Sequence, residues 1–353
     1  MKELMILQTV APDYRKSFFD ILHNNFKEKF ALYAGSNYFE SSVKTDVNIS
    51  YVGDTKNFYF FNRRFLFQFG MWHDALTAKN LVLELNPRIL SNWVLLFFRK
   101  ILRKKTILWG HAWPTNGQNS ITDLVRNIMR ELSDIIIVYT SRQAKELRKK
   151  MLGKRVICAP NALYTKHKMN CSDLEEIYNI IYVGRLTPKK KPLILLKAFQ
   201  NILNDLPKKA KLFILGEGPE KKDLINFVDK FQLNNRVKIL GHIGNYTELY
   251  NYYQYALFSV SPGYVGLSIT QSFGFGVPML ISKYEKHSPE IEVAETEFNS
   301  MFFETDYQDD LEKKILSFYA NKDRWIRNRK IISQKCREKY SVESMARVFI
   351  KLV

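Results

Sequence analysis

Cysteine is nearly absent from this 353-residue chain: Cys158, Cys171 and Cys336 are the only three. An odd number without metal-ligand spacing excludes a disulfide framework and a zinc module, and fits a reducing compartment such as the cytoplasm. No apolar run reaches the ~18–20 residues that a bilayer-spanning helix needs. Nor does Met1–Leu7 read as a secretion signal, since Glu3 interrupts it and Thr9, Pro12 and Asp13 end its short apolar stretch. Internal short repeats, low-complexity tracts and recognised nucleic-acid motifs are also missing. Acid is scarce in one half. Residues through Asn170 hold 27 Lys/Arg against 13 Asp/Glu, or +14 of the total +19, while the remainder holds only +5. That asymmetry points to an anionic partner, among them nucleic acid, anionic lipid or a pyrophosphate-bearing molecule. A lysine-rich solubilising surface is the alternative.

What is present is a long alternation of short apolar runs with helical patterns, which specifies βαβ units and parallel sheets. Expected strands are Leu4–Val10, Phe30–Ala34, Val47–Val52, Leu81–Leu85, Thr106–Trp109, Ile135–Tyr139 and Val156–Ala159. A fresh set opens at Ile177–Val183 and continues with Lys211–Leu215, Val237–Leu240, Leu257–Ser261 and Pro278–Ser282. The expected fold class is α/β, with two tandem Rossmann-like, doubly wound domains and a ligand cleft between them. Residues 1–168 form the first domain, 169–338 the second, and 339–353 a terminal helix that packs back on the first. The polar stretch Tyr164–Ser172 is the expected linker.

Three loops of the second domain carry chemistry. Tyr182-Val183-Gly184-Arg185 ends a buried strand, and Lys190 is expected to open the next helix. A guanidinium and an ammonium beside a helix start suit a diphosphate. Gly216-Glu217-Gly218-Pro219 gives a tight turn able to border a base or ribose. After Leu257–Ser261 comes Pro262-Gly263-Tyr264-Val265-Gly266-Leu267-Ser268, where glycines allow close backbone approach and Leu267–Ile269 offer amides at a helix start. Gln271, one turn further, can donate to and accept from ribose hydroxyls.

From about Ile180 to Phe303 these loops resemble the donor domain of the retaining, GT-B-fold glycosyltransferases of family four. Gly184-Arg185-Leu186 with Lys190, Gly216–Pro219, Ser261-Pro262 through Gly276-Val277-Pro278, and Pro289-Glu290-Ile291 followed by Phe298-Asn299 carry the likeness. The resemblance implies transfer of a hexose-type sugar from a nucleotide-diphosphate sugar to a saccharide acceptor with retention of configuration, in surface-polysaccharide assembly. It makes Gly184, Arg185, Lys190, Gly216, Gly218, Pro219, His242, Gly266, Leu267, Ser268, Gln271 and Glu290 donor contacts, with Arg185, Lys190 and His111 in the catalytic set. The chain also departs from the family. Gly263 and Gln271 stand where two glutamates often lie, Lys286-His287 replaces paired glycines, and Asn299-Ser300 replaces Asn-Gly.

In the first domain His111 follows the Ile107–Trp109 strand through Gly110, where a histidine can donate to a sugar hydroxyl or a developing charge. Tyr14 and Arg15, just past the first strand, are the expected acceptor contacts. The run Arg88–Lys105 joins Trp93, Leu95, Leu96, Phe97 and Phe98 to Arg99, Lys100, Arg103, Lys104 and Lys105 without one acid. Such a helix can lie on an anionic membrane, which implies a lipid-linked acceptor and a peripheral place at the inner face of the cell membrane. No Asp-x-Asp element sits at a strand end. Asp306, Asp309 and Asp310 lie past the donor loops, so no metal and no other cofactor is expected, the nucleotide-sugar being a co-substrate. Three other functions remain open: a nucleotide-sugar epimerase of the same fold, a silent partner subunit, and a nucleic-acid-binding module.

Overall fold

The computed structural model describes every residue except Ser41, Ser42 and Thr115. Its chain divides into two compact units, Met1–Leu163 with Val342–Val353, and Tyr164–Ser341.

Runs such as Leu4–Leu7 and Ile135–Val138 are buried from end to end. Strands apolar on both faces need cover on both, and helical crossovers of a parallel sheet supply it. The first unit contains β1 (Leu4–Gln8), α1 (Lys16–Phe26), β2 (Phe30–Ala34), β3 (Val52–Asp54), β4 (Lys56–Phe60), β5 (Phe65–Phe69), α2 (Trp72–Thr77), β6 (Asn80–Glu84), α3 (Leu90–Ile101), β7 (Lys105–Trp109), α4 (Ile121–Leu132), β8 (Ile135–Val138), α5 (Ser141–Lys150) and β9 (Arg155–Cys158). Its main sheet runs β3-β2-β1-β6-β7-β8-β9, parallel throughout. Alternation of side chains sorts the core into two layers: Leu4 and Ile6 join Phe18, Ile107 and Trp109 on one face, while Met5 and Leu7 join Leu83, Leu95 and Leu96 on the other.

The second unit contains β10 (Asn179–Val183), α6 (Pro192–Asn201), β11 (Leu212–Leu215), α7 (Lys221–Lys230), β12 (Val237–Gly241), α8 (Tyr246–Gln254), β13 (Ala256–Ser261), α9 (Ser268–Gly274), β14 (Met279–Ser282), β15 (Ser300–Phe303), α10 (Gln308–Ala320) and α11 (Lys322–Tyr340). Its parallel sheet is ordered β12-β11-β10-β13-β14-β15. In each sheet the order reverses beside the first strand, between β1 and β6 and between β10 and β13. Open α/β sheets bind ligands beyond the carboxyl ends of the strands at such a point.

Four expectations change. The strand expected at Val47–Val52 is β3, shifted to Val52–Asp54, because turns with Ile49 N bonded to Asp46 O and Val52 N to Ile49 O hold the preceding residues. Residues 53–80, read without an element, contain the β4–β5 hairpin and α2. Phe61, Asn62 and Arg63 form the hairpin tip with positive φ and no glycine, so the usual turn signal is absent. The segment 164–172 is not a free linker. Tyr164 packs on Tyr246 and Phe275, and Met169 is buried against the second unit's core, which moves the boundary from 168/169 to 163/164. Residues 339 and 340 complete α11, and the terminal helix α12 (Val342–Ile350) belongs to the first unit, with Phe349 5.0 Å from the rings of Phe18 and of Trp109.

Candidate active site

At the reversal point of the second sheet, Arg185 is exposed just past β10 and Lys190 is half-buried at the end of a single 3-10 turn, Pro188–Lys190. Lys190 therefore precedes α6 and does not open it; Pro192 takes the first helical position, where its missing N–H costs nothing. Burial first, then the charges of Arg185 and Lys189, pushes the Lys190 ammonium down to about 8. No carboxylate pairs with it among the described residues. Its neighbour Lys191, by contrast, holds Glu285 at 2.5 Å and Asp306 at 2.6 Å. The ring of Tyr264 lies 4.1 Å from Lys189 Nζ and 4.8 Å from Lys190 Nζ. The buried carboxylate Glu290, in the turn Pro289–Val293, and Arg185 both act electrostatically on that phenol, whose pKa burial raises. Arg185, Lys190, Tyr264 and Glu290 thus form one cluster, dominated by positive charge and suited to a polyphosphate.

The glycines of this region pack backbone on backbone. A Cβ on Gly216 would overlap Gly184 O, and one on Gly218 would overlap Leu186 O. Leu186 N donates to Glu217 O at 2.8 Å and Glu220 N to Leu186 O at 3.1 Å. Gly216 and Gly218 are therefore seams between the β10 and β11 loops, and Pro219 is an exposed residue ahead of α7. Gly184 itself is looser, the nearest atom to its added Cβ being the Tyr182 hydroxyl at 3.3 Å.

Gly263 answers one departure from the family pattern. A side chain there would run into Lys189 O and the Lys190 backbone, and Tyr264 N donates to Lys189 O at 3.0 Å. The position seats the lysine loop and has no room for a carboxylate. The second departure is equally coherent: Gln271 donates from Nε2 to Tyr164 Oη at 2.7 Å and accepts from Tyr253 Oη at 3.3 Å. One N–H and one lone pair of the amide are thus engaged, which leaves the second of each for a ligand. Replacing the family's glycine pair, His287 accepts from Val265 N through Nδ1 at 3.0 Å, so its Nε2 carries the proton toward Ser282 O at 2.7 Å. Burial lowers its pKa and keeps it neutral, as this tie requires. Gly266, Leu267 and Ser268 stand half-exposed at the start of the seven-residue α9. Of the expected amides, Ile269 N is already bonded to Gly266 O at 3.3 Å. His242 is exposed in the loop after β12.

The first unit has its own site at the corresponding strand ends, a cavity of about 710 Å³ lined by Tyr14, Arg15, Glu84, His111, Arg126 and Tyr139, among others. Tyr14 stands exposed at its rim. Arg15 is not a solvated surface charge: it is 7% exposed, its guanidinium lies 4.8 Å over Trp109, and Nη1 reaches Met345 Sδ at 3.2 Å. Glu84, ending β6, accepts from Thr9 N; burial raises its pKa, with Thr9 and Arg15 pulling it back. His111 is exposed on a loop held from α4, where Arg126 Nη1 donates to His111 O at 2.8 Å and Arg130 donates to Ala112 O. Arg130 is anchored by a fully buried ion pair with Asp123 at 2.9 Å, which Lys150 joins at 2.6 Å. Sequence reasoning missed Glu84 and Arg126; for Glu84, the acid closing the apolar run Leu81–Leu83 was the available signal.

On α3 the structure separates two roles. Leu95 and Leu96 are core residues, and Arg99 is buried, donating to Ala75 O, Ala78 O, Lys105 O and Thr106 Oγ1. Lys105 donates to Leu352 O at 2.7 Å, and Trp93 Nε1 to Pro87 O at 3.0 Å. The outward face consists of Phe97, Phe98, Ile101 and Leu102 with Lys100 and Arg103. No helix among the described residues is long and apolar enough to cross a membrane.

Residues 172–338 match the family model described as glycosyl transferases group 1. An uncharacterized glycosyltransferase of Methanocaldococcus jannaschii is 30% identical over 172 residues, 44% of this chain and 41% of the relative. The O-antigen biosynthesis glycosyltransferase WbnH of Escherichia coli is 27% identical over 192 residues, 52% of this chain and 53% of the relative. The chain therefore spans about half or less of these curated relatives. HepE of Anabaena, solved in complex with UDP, superposes with a TM-score of 0.71 at 14% identity, covering 100% of this chain and 99% of that one. The likeness shows the fold, which is GT-B.

Proposed function

We propose, from the premise that residues 172–338 belong to the glycosyl transferases group 1 family, that the chain transfers a hexose-type sugar from a nucleotide-diphosphate sugar to a saccharide acceptor. One observation carries the proposal: Arg185 and the acid-free, half-buried Lys190 converge where the second sheet reverses. An anion arriving there relieves the repulsion between them and holds the Lys190 proton more firmly. As the bond from the anomeric carbon to the diphosphate breaks, both cations neutralise the negative charge that grows on the leaving oxygen. The acceptor hydroxyl oxygen forms the new bond to the anomeric carbon and passes its proton to the departing nucleoside diphosphate. Glu290 contacts the donor sugar. Gly266 lies where a Cβ would meet only the Tyr264 ring, which leaves its outer side to the donor. Tyr14 and Arg15 serve the acceptor, and His111, in the catalytic set, donates to a hydroxyl of the transferred sugar or to the developing charge.

With the countercharge supplied by side chains, transfer needs no divalent metal, and the family resemblance implies retention at the anomeric carbon. UDP is the first base to test, because HepE was solved with it, and the likeness to WbnH favours surface-polysaccharide synthesis. A lipid-linked acceptor fits an α3 whose outward face pairs Phe97, Phe98 and Ile101 with Lys100 and Arg103 for an anionic membrane.

A thermal-shift screen across nucleotide-sugars is the test. Ligand at ~100 times its dissociation constant adds about 2.7 kcal/mol. A matched donor should stabilise the wild type and fail to stabilise the Arg185→Ala, Lys190→Ala double variant. No response to any nucleotide-sugar, or equal responses in both proteins, would overturn the reading. Product NMR then reads the anomeric outcome, and chelator the metal requirement.

A further inference from the structure

The β4–β5 hairpin is built inside out. Its antiparallel register sets Lys56 opposite Phe69, Phe58 opposite Phe67 and Phe60 opposite Phe65, so these six share one face. The other face holds Asn57, Tyr59, Leu66 and Gln68. In a half-covered antiparallel sheet the apolar face ordinarily turns inward. Here the polar face does. Asn57 Nδ2 donates to Thr9 O at 2.9 Å, Gln68 Nε2 to Gln8 O at 3.1 Å and Tyr59 Oη to Asn37 O at 2.6 Å. Most of the phenylalanine face turns to solvent, with Phe58 55% and Phe69 47% exposed and Phe61 at the tip 77% exposed, while Phe60 is half-buried and Phe67 stacks on Trp72.

Helix α4 repeats the inversion. Its inward side holds Asp123 and Arg130, both fully buried, while Ile121, Leu124, Val125 and Ile128 are exposed at the spacing of a single helical stripe. Helix α3, with its own exposed Phe97, Phe98 and Ile101, packs against both β5 and α4 and joins the two inverted elements. Three adjoining elements thus present apolar faces outward, far more than the scattered exposed residues normal for a water-facing surface. Charge selects the occupant. The hairpin residues 55–70 contain no acid and carry the exposed Lys56 and Arg64, with Arg63 turned inward onto Tyr38 O and Phe39 O, and the acid-free run 88–105 adds the exposed Lys100 and Arg103. Aromatic side chains framed by exposed cations, in a half with a net +14, match a bilayer of anionic lipid.

We propose that the β4–β5 hairpin inserts its phenylalanine face and tip into the acyl boundary of an anionic bilayer, with the exposed stripe of α4 beside it. This rests on, and extends, the membrane docking suggested by α3: that helix supplies surface attraction, and the hairpin supplies depth. Insertion is tested with the full chain on vesicles of equimolar phosphatidylglycerol and phosphatidylcholine. Tryptophan reporters are placed by Phe61→Trp and, as a control outside these elements, by Leu152→Trp, whose parent residue is 87% exposed. Acyl-chain-brominated lipids should quench the first reporter and spare the second.

A variant with Phe58, Phe61, Phe65 and Phe69 all changed to Ser should bind vesicles at least about 100-fold more weakly, each lost anchor counting for a few-fold. It should keep transfer to a water-soluble acceptor. If the wild type sediments with vesicles but Phe61→Trp stays unquenched and the serine variant binds equally well, the insertion is wrong and docking through α3 stands. If the wild type ignores the vesicles at low salt, both fall. If the wild type is a dimer that the serine changes convert to monomer, without quenching, the face joins two copies of the chain and the proposal is overturned.

Discussion

The two sheets reverse order at equivalent places yet furnish their strand ends differently. In the first unit the space past β1, β6 and β7 is lined by large side chains of mixed charge: Arg15, Glu84, His111 and Arg126. In the second, the loops past β10, β11 and β13 meet backbone to backbone through Gly216, Gly218 and Gly263, and only a few cations stand out from them. A diphosphate needs concentrated positive charge and close backbone, whatever the attached sugar. A saccharide acceptor needs a varied set of donors and acceptors around its hydroxyls. On the proposed function, the same topology gives a generic grip in one unit and an adaptable one in the other.

The largest expected effect tests whether the first cavity does chemistry. His111→Ala should lower turnover by about 10²–10⁴-fold while nucleotide affinity, read by calorimetry, changes little. Equal loss of both would erase the division of labour between the two sites.

The support of the first cavity comes next. Breaking the buried Arg130–Asp123 pair with Arg130→Met should cost about 3–5 kcal/mol in urea unfolding, since it strands part of the Asp123 charge and frees the His111 loop. Burial alone would raise the Asp123 pKa, but Lys150, the Asn119 amide and Arg130 hold it below its ordinary value. Its folded pKa being depressed, its contribution is complete above the ordinary 3.8 and fades as pH falls through the lowered value. The acid limb of the stability profile should therefore flatten in Asp123→Asn.

In the second unit, Arg185→Ala and Lys190→Ala should each weaken nucleoside-diphosphate binding by roughly 10- to 150-fold, the worth of one charge-assisted contact, with the melting temperature little changed. Unaltered affinity would return both to a basic surface loop. Restoring the family's acid by Gly263→Glu should also weaken binding, because the new side chain displaces the Lys189–Lys190 backbone. Tighter binding would show that the glycine is a loss and not a seat.

The smallest effect is a pH dependence. With Lys190 at about 8, nucleotide affinity should fall about tenfold between about pH 7 and pH 9, and Lys190→Met should abolish that slope. Stability moves the other way. The folded chain releases this proton earlier than the unfolded one, so the group's penalty is relieved as pH rises from about 8 toward 10.5.

Much of this is legible in the sequence. Strands such as Ile135–Val138 declare themselves by continuous apolar burial, and Gly184-Arg185 with Lys190 declares a strand-end cation pair. What escaped reading depends on tertiary neighbours. A glycine spells only permission, so the backbone seams that Gly216 and Gly218 make with the loop past β10 are not legible in the sequence. Arg99 passes for a membrane base although its guanidinium is spent on four oxygens inside the unit. Nor does the sequence show that Tyr164 and Tyr253 hold the Gln271 amide. The hairpin lacks the glycine turn that announces such a motif, and its alternation gives no sign of which face is inside.

Helix α12 fixes an order of events. It is the last element of the chain, yet it closes the first unit: Phe349 lies against Phe18 and Trp109, and Met345 against Arg15. A ribosome delivering this chain releases the whole second unit before the first can seal its hydrophobic interior. The early half must wait open, its Trp109 face uncovered, while the later half matures. Cleavage near Ser341 should therefore loosen Arg15 at the far end of the sequence and leave the Tyr164–Ser341 unit untouched.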